Sequence, residues 1–109
     1  MRKGEVFLFD RLAGMISEDS NGVFRFAYDA AYLESENPLP ISRTMPLTAE
    51  IYESDRLFPF FDGLIPEGWL LAIAEKSWKL DPRDRMGLLL SCCRKCIGAV
   101  SVVEVRNDR

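Results

Sequence analysis

At 109 residues, the chain is long enough for one domain with a single modest core and too short for a two-lobed enzyme. Apolar residues make up 48% and charged residues 28%, a balance that is typical of folded globular proteins and excludes the disordered and membrane-embedded classes. The net charge is −3, and residues 1–69 carry twelve acidic and six basic side chains. This acidic balance argues against direct nucleic-acid binding, which depends on lysine and arginine to neutralise phosphates.

The sequence offers no signal for membrane insertion or secretion. No apolar run approaches the roughly 18 residues of a membrane span. The amino-terminal stretch MRKGEVFLFDRLAG becomes charged again too soon for a signal peptide. Three cysteines, Cys92, Cys93 and Cys96, are crowded near the carboxyl end and fit a reducing compartment better than a disulfide framework. We therefore expect a cytoplasmic protein with no membrane partner.

The first third of the chain has the pattern of an antiparallel meander. EVFLFD, RLAG and MISED predict a hairpin over roughly residues 5–18. Asn21 and Gly22 both tolerate a positive φ and so predict the next turn. In VFRFAYD after it, Phe24, Phe26 and Tyr28 alternate with the intervening residues. Three strands with one aromatic face are expected.

The middle of the chain, LESENPLPISRTMPLTAEIYESD, holds three of the six prolines and little periodicity. It predicts an irregular connection with at most a short edge strand near ISRTM. LFPFFDGLI then predicts a short buried helix that ends near Gly63.

Two further helices and a closing strand are predicted after Gly63. Pro66 suits the first position of a helix and Glu67 complements its dipole, with WLLAIAEKSWKL continuing the period. LDPRD predicts a second helix with Asp81 as its N-cap and Asp84 in its first turn, running through RMGLLLSCC. AVSVVEV after Gly98 predicts a valine-rich strand. The order predicts a single α+β domain over residues 1–109: a small antiparallel meander, about three short helices and a closing strand.

Residues that could perform catalysis are scarce. Histidine is absent, so the commonest general base and metal ligand are missing. The seven glycines do not fall into a dinucleotide-binding or phosphate-binding spacing. Cys93 and Cys96 have CxxC spacing, which leaves a redox or metal-binding alternative, although their place between a helix and a strand is more typical of buried packing. We predict a protein that is not an enzyme and holds neither metal nor cofactor.

Trp69 is the residue that suggests an interaction. At about 100° per residue, Leu70, Leu71, Ala74 and Trp78 gather on one side of the predicted helix, whereas Trp69 falls on the side of Lys76. One interpretation is a tryptophan folded under the preceding FFDGLIP loop. The other is an exposed anchor for a protein partner, because tryptophan is enriched at interface hot spots. The candidate partner-binding residues are Pro66, Glu67, Gly68, Trp69 and Lys76.

Four segments carry a resemblance to a known family. LPISRTMPL, FPFFDGLIPEGWL, LDPRDRMGLLL and CIGAVSV occur in order between Leu39 and Val102. Together they resemble the amino-terminal subdomain of HipA-family toxin kinases, and the upstream meander looks like the start of that subdomain. The chain departs from the usual pattern at Gly63-Leu64-Ile65, where family members carry Asn-Leu-Leu, and at Cys93 to Cys96.

The resemblance implies a function through a partner. A free-standing copy of this subdomain is similar to the small antitoxin of split HipBST systems, in which a HipA-like serine/threonine kinase is a separate chain and a helix-turn-helix protein binds the DNA. In that case Trp69 would be presented to the kinase active site. The alternative is an excised interaction subdomain of a full-length HipA-type kinase, which docks a DNA-binding antitoxin without inhibiting anything itself.

Overall fold

Five antiparallel strands form one sheet in the part of the chain that the computed structural model describes, which is residues 2–65, 84–92 and 99–105. The strands are β1 (Arg2–Leu8), β2 (Arg11–Glu18), β3 (Phe24–Tyr28), β4 (Tyr52–Ser54) and β5 (Val100–Val105). Their order across the sheet is β4-β3-β2-β1-β5. The helices among these residues are α1 (Ala30–Leu33), α2 (Pro59–Asp62) and α3 (Arg85–Cys92). The predicted α+β class is confirmed.

The predicted three-stranded meander is confirmed as β1, β2 and β3, and its first turn is tight. The turn lies at Phe9 and Asp10, and RLAG belongs to β2, where a register shift opposite Val6 and Phe7 leaves Ala13 without a partner in the ladder. Phe9 makes the tight connection with a φ of 56°. A phenylalanine gives no sequence signal for such a φ, which is uncommon outside glycine, asparagine and aspartate. The Asn21-Gly22 turn is where it was predicted, and Gly22 has a φ of 80°.

The predicted irregular connection is confirmed, but its short edge strand does not lie near ISRTM. Ser42 and Met45 form only an isolated bridge there, and the edge strand β4 lies at Tyr52–Ser54. An aromatic contact explains why the edge strand lies at residues 52–54. The Tyr52 ring lies 6.4 Å from that of Phe26, and the Tyr52 hydroxyl donates to the Pro46 carbonyl oxygen at 2.6 Å. A strand at 52–54 therefore extends the aromatic face, whereas one at 41–45 would not.

Helix α1 was not predicted, and α3 begins later than predicted. Asp29 caps α1 by accepting from the Tyr32 backbone N–H at 3.2 Å. Asp84 was predicted in the first turn of a helix with Asp81 as its N-cap. In the structure the helix begins at Arg85. Asp84 is its N-cap, because the Asp84 carboxylate accepts a hydrogen bond from the Gly87 N–H at 3.2 Å. Asp81 itself lies outside the described residues. The short helix ending near Gly63 is confirmed as α2, whose C-cap is Gly63.

One face of the sheet carries the core. Its largest fully buried side chains come from both the strands and the helices: Phe26, Phe61, Ile16, Met86, Leu88, Leu89, Val6 and Val102. Gly4 allows α3 to pack closely on β1, because a Cβ at that position would lie 2.8 Å from Leu90 Cδ2 and 2.8 Å from Val102 Cγ1.

Two tyrosine hydroxyls tie the irregular 39–45 stretch to this core. The Tyr28 hydroxyl accepts from the Ile41 N–H at 3.0 Å and donates to the Met45 carbonyl oxygen, and burial raises the pKa of Tyr28. The Tyr32 hydroxyl donates to the Leu39 carbonyl oxygen at 2.6 Å and accepts from the Leu39 N–H at 3.0 Å. These bonds satisfy backbone groups that have no strand partner at those positions.

Candidate partner-binding site

The sequence-predicted partner-binding residues Pro66, Glu67, Gly68, Trp69 and Lys76 lie outside the described residues. Trp78, Cys93 and Cys96 do so as well. What the structure does describe is the scaffold on both sides of residues 66–83, which consists of α2 and its exit at Ile65 on one side and Asp84 with α3 on the other.

The α2 side is fixed to the sheet by aromatic packing. Pro59 stands at the start of α2, where its fixed φ suits the first helical turn. Phe61 is fully buried, and its ring lies 5.5 Å from that of Phe26, 6.3 Å from Phe58 and 5.3 Å from Phe60. Ile65 is buried too, so the chain is still held by the core at the last residue before the candidate segment.

The α3 side is fixed by an ion pair to the first strand. The Arg2 guanidinium donates to both carboxylate oxygens of Asp84, each at 2.8 Å, and its Nε donates to Glu18 Oε1 at 2.9 Å. Two-point binding of this kind sets orientation as well as position. The hydrogen bond from Arg2 is the main reason that the pKa of Asp84 is lowered, with a further contribution from the Gly87 N–H, and the same contact raises the pKa of Arg2.

A second ion pair joins the two sides to each other. Arg85 Nε donates to Asp62 Oδ1 at 2.6 Å and so links the end of α2 to the start of α3. Together with the first pair it forms what we call the ion-pair frame: Arg2, Glu18, Asp62, Asp84 and Arg85. The frame fixes the positions from which residues 66–83 leave and to which they return. Sequence reasoning missed it, because Arg2 and Asp84 are 82 positions apart and no local pattern marks such a pair.

The frame gives a testable pH dependence. Asp84→Asn keeps a side chain that can cap α3 but removes the charge that faces Arg2. We expect the variant to lose about 1 kcal/mol or less of unfolding free energy at pH 7, because the pair is partly exposed to solvent. Since the folded-state pKa of Asp84 is lowered, the contribution is complete above the ordinary pKa near 3.8 and is lost as the pH falls through the folded value. Urea unfolding of both proteins from pH 7 to pH 2 measures this, and a difference that grows toward low pH would contradict it.

The opposite face of the sheet has two shallow cavities of about 280 Å³ and 240 Å³. Met15 and Ala27 line both of them. Two cations line the larger cavity, Lys3 and Arg25, and Arg25 already pairs with Asp19 at 2.8 Å and Glu53 at 2.9 Å. Besides these two cations, the polar lining residues are Ser17 in the larger cavity and Tyr28 and Asp29 in the smaller one, and the remaining lining side chains are apolar.

Residues 2–65, 84–92 and 99–105 include neither a metal-binding cluster nor a membrane-spanning helix. No group of three or more His, Cys, Asp or Glu side chains among them is arranged to hold a metal ion. None of the helices found there has the length and hydropathy to cross a bilayer.

Comparison with known proteins gives concordant results. Residues 4–103 match the family described as the HipA N-terminal domain. An uncharacterized protein of Haemophilus influenzae is 35% identical over 107 residues, which make up 98% of this chain and 96% of the relative. The putative kinase Y4mE of Sinorhizobium fredii is 34% identical over 79 residues, covering 72% of this chain but only 19% of the kinase.

Structural comparison agrees with the sequence matches. A solved structure of the N-terminal domain of HipA toxin superposes with a TM-score of 0.74 at 30% identity, covering 99% of this chain and 96% of that chain. With one family model and one solved structure each matched over nearly the full sequence, the chain belongs to the HipA N-terminal domain family.

Proposed function

We propose that this protein acts as an antitoxin that binds a separate HipA-like serine/threonine kinase and holds it inactive. The observation that carries the proposal is the length of the Haemophilus influenzae relative, 96% of which is covered by this chain. In that relative the domain makes up almost the entire protein. The domain must therefore either have an activity of its own or act by binding a partner protein. The histidine-free composition supports the second option, because it leaves little equipment for catalysis.

The scaffold is suited to presenting a short segment to a partner. Both points where residues 66–83 meet the described structure are held by the core or by the ion-pair frame. A segment whose ends are fixed loses less conformational entropy on binding than one with free ends. In this proposal Trp69 enters the kinase active site, with Pro66, Glu67 and Gly68 forming the turn before it and Lys76 on the same helical side.

Kinase inhibition tests the proposal directly. We expect a HipA-type kinase to phosphorylate its substrate when purified alone and to lose that activity when this protein is added at equal concentration. The protein by itself is expected to hydrolyse no ATP. Radiolabelled phosphate transfer measures both. An undiminished kinase rate under saturating protein would refute the antitoxin role, and ATP hydrolysis by the protein alone would refute its non-enzymatic character.

A second candidate function rests on the Sinorhizobium fredii relative, in which the matched region is a small part of a longer putative kinase. In that setting the domain would serve as an interaction module that docks a helix-turn-helix DNA-binding antitoxin. Binding of the purified chain to such a DNA-binding protein in the absence of any kinase, without an effect on kinase activity, would favour this second function over the first.

A further inference from the structure

The two edges of the sheet are protected to different degrees. Edge β4 has only three residues, and its central Glu53 pairs with Arg25. Edge β5 has six residues, VSVVEV, of which four are valine and one is charged. Natural proteins usually shield exposed edges by making them short or charged, because an open row of backbone N–H and C=O groups invites another strand. Among the described residues, β4 is short, whereas β5 is twice as long and has Glu104 as its one charged side chain.

Within the described residues, β5 is paired on one side only. All six residues are in antiparallel register with β1, from Lys3 opposite Val105 to Leu8 opposite Val100. No other strand in the described part of the chain pairs with β5. In an edge strand, alternate backbone groups point away from the neighbouring strand. As far as residues 2–65, 84–92 and 99–105 show, the outer side of β5 therefore presents hydrogen-bonding groups along all six residues of the strand.

The family relationship suggests what could pair there. The matched family and the solved structure are both described as the N-terminal domain of HipA, so in HipA the remaining chain continues beyond the position of β5. Consecutive elements of a chain are adjacent in space about two-thirds of the time. The segment that follows this domain in a single chain would thus start beside the open edge of β5. In a split pair, the same segment would belong to the kinase chain.

We infer that the outer edge of β5 binds a strand from the kinase partner and extends the sheet by β-strand addition. This inference rests on the proposed function and adds to it a second contact surface, distinct from residues 66–83. Strand addition gains affinity from backbone hydrogen bonds and specificity from alternate side chains.

The side chains of β5 define the chemistry of the partner strand. Val100 and Val102 are buried on the core face, and Glu104 follows them on that face but is exposed. A strand that pairs with β5 would therefore carry apolar residues beside the two valines and a lysine or arginine near Glu104, because opposite charges on neighbouring strands are favourable and like charges are not.

Hydrogen exchange tests the edge itself. The amides of this protein are followed alone and in complex with its cognate HipA-type kinase. We expect alternate amides of β5 to exchange at least roughly tenfold more slowly in the complex, while the β4 amides are unchanged. A complex that inhibits the kinase but leaves β5 exchange unaltered would overturn the inference and leave the proposed function standing. Absence of any complex would overturn both the inference and the proposed function. If β5 amides exchange more slowly at higher protein concentration without kinase, the edge binds a second copy of this chain and the inference is wrong.

A charge reversal tests the chemistry. Glu104→Lys should weaken kinase binding by roughly tenfold in titration calorimetry, since it replaces an attractive cross-strand pair with a repulsive one. Glu50→Lys is the matched control, because it makes the same charge change at an exposed position beside the opposite edge of the sheet. Equal affinities of the two variants would contradict the predicted basic residue in the partner strand.

Discussion

Phe26→Ala is expected to lower the free energy of unfolding by about 3–5 kcal/mol. Phe26 is fully buried at the centre of the aromatic face. Its ring lies 5.0 Å from that of Tyr28, 5.5 Å from Phe61 and 6.4 Å from Tyr52. Removing it leaves a cavity between β3, β4 and α2 that the surrounding rings cannot fill without losing their own contacts. Chemical denaturation measured by circular dichroism gives the free energy.

Phe9→Ala is the matched control for this prediction. It deletes the same group from a side chain that is 67% exposed and lies in a turn. Its cost should stay within about 0.5 kcal/mol, the usual range for surface substitutions. Similar losses for the two variants would mean that the aromatic face is not the main source of stability.

The aromatic face is also what sequence reasoning predicted best. Strict alternation in VFRFAYD allows only one face for Phe24, Phe26 and Tyr28, so a strand with a buried aromatic side follows from the pattern alone. The short helix before Gly63 followed similarly, because FPFF has too much apolar surface to remain exposed. These predictions depend only on residues that are close in the chain, because their spacing determines which side chains share a face.

The parts that sequence reasoning missed depend on contacts between distant residues. The position of β4 is decided by Tyr52 against Phe26, and the start of α3 by Asp84, which both caps the helix and binds Arg2. In LDPRD, either aspartate satisfies the local rules for an N-cap. The structure favours Asp84 as the N-cap because its carboxylate also binds Arg2 of β1. The ion-pair frame around the candidate segment could not be predicted either, because its residues are far apart in the chain.

The frame nevertheless connects the fold to the proposed function. The Asp62–Arg85 pair joins α2 to α3, and Arg2 joins α3 to β1 and β2. Residues 66–83 are therefore inserted between two helices that are fastened to each other and to the sheet. A partner that binds the inserted residues would meet a scaffold that is already ordered, which reduces the entropic cost of association.

Trp69→Ala is expected to abolish neutralisation of the kinase while leaving the protein folded. Helical periodicity puts Trp69 away from the apolar side that contains Leu70, Leu71, Ala74 and Trp78, so its removal should shift the melting temperature by only a few degrees. Truncating a hot-spot tryptophan typically costs at least ~2 kcal/mol of binding free energy, roughly a thirtyfold loss of affinity. Growth of cells that express the kinase together with the variant measures neutralisation, and thermal melting of the purified variant measures folding.

Trp78→Ala separates this interpretation from its rival. Trp78 lies on the apolar side of the predicted helix, and removing a buried tryptophan costs about 3–5 kcal/mol of stability, so this variant should be unstable or insoluble. If Trp69→Ala unfolds and Trp78→Ala stays folded but no longer binds, then Trp78 is the partner anchor and Trp69 is the core residue. If both variants fold and both neutralise the kinase, tryptophan is not the anchor, and the affinity would have to come from another surface such as the edge of β5. Measuring both variants against the same kinase therefore decides which surface makes the inhibitory contact.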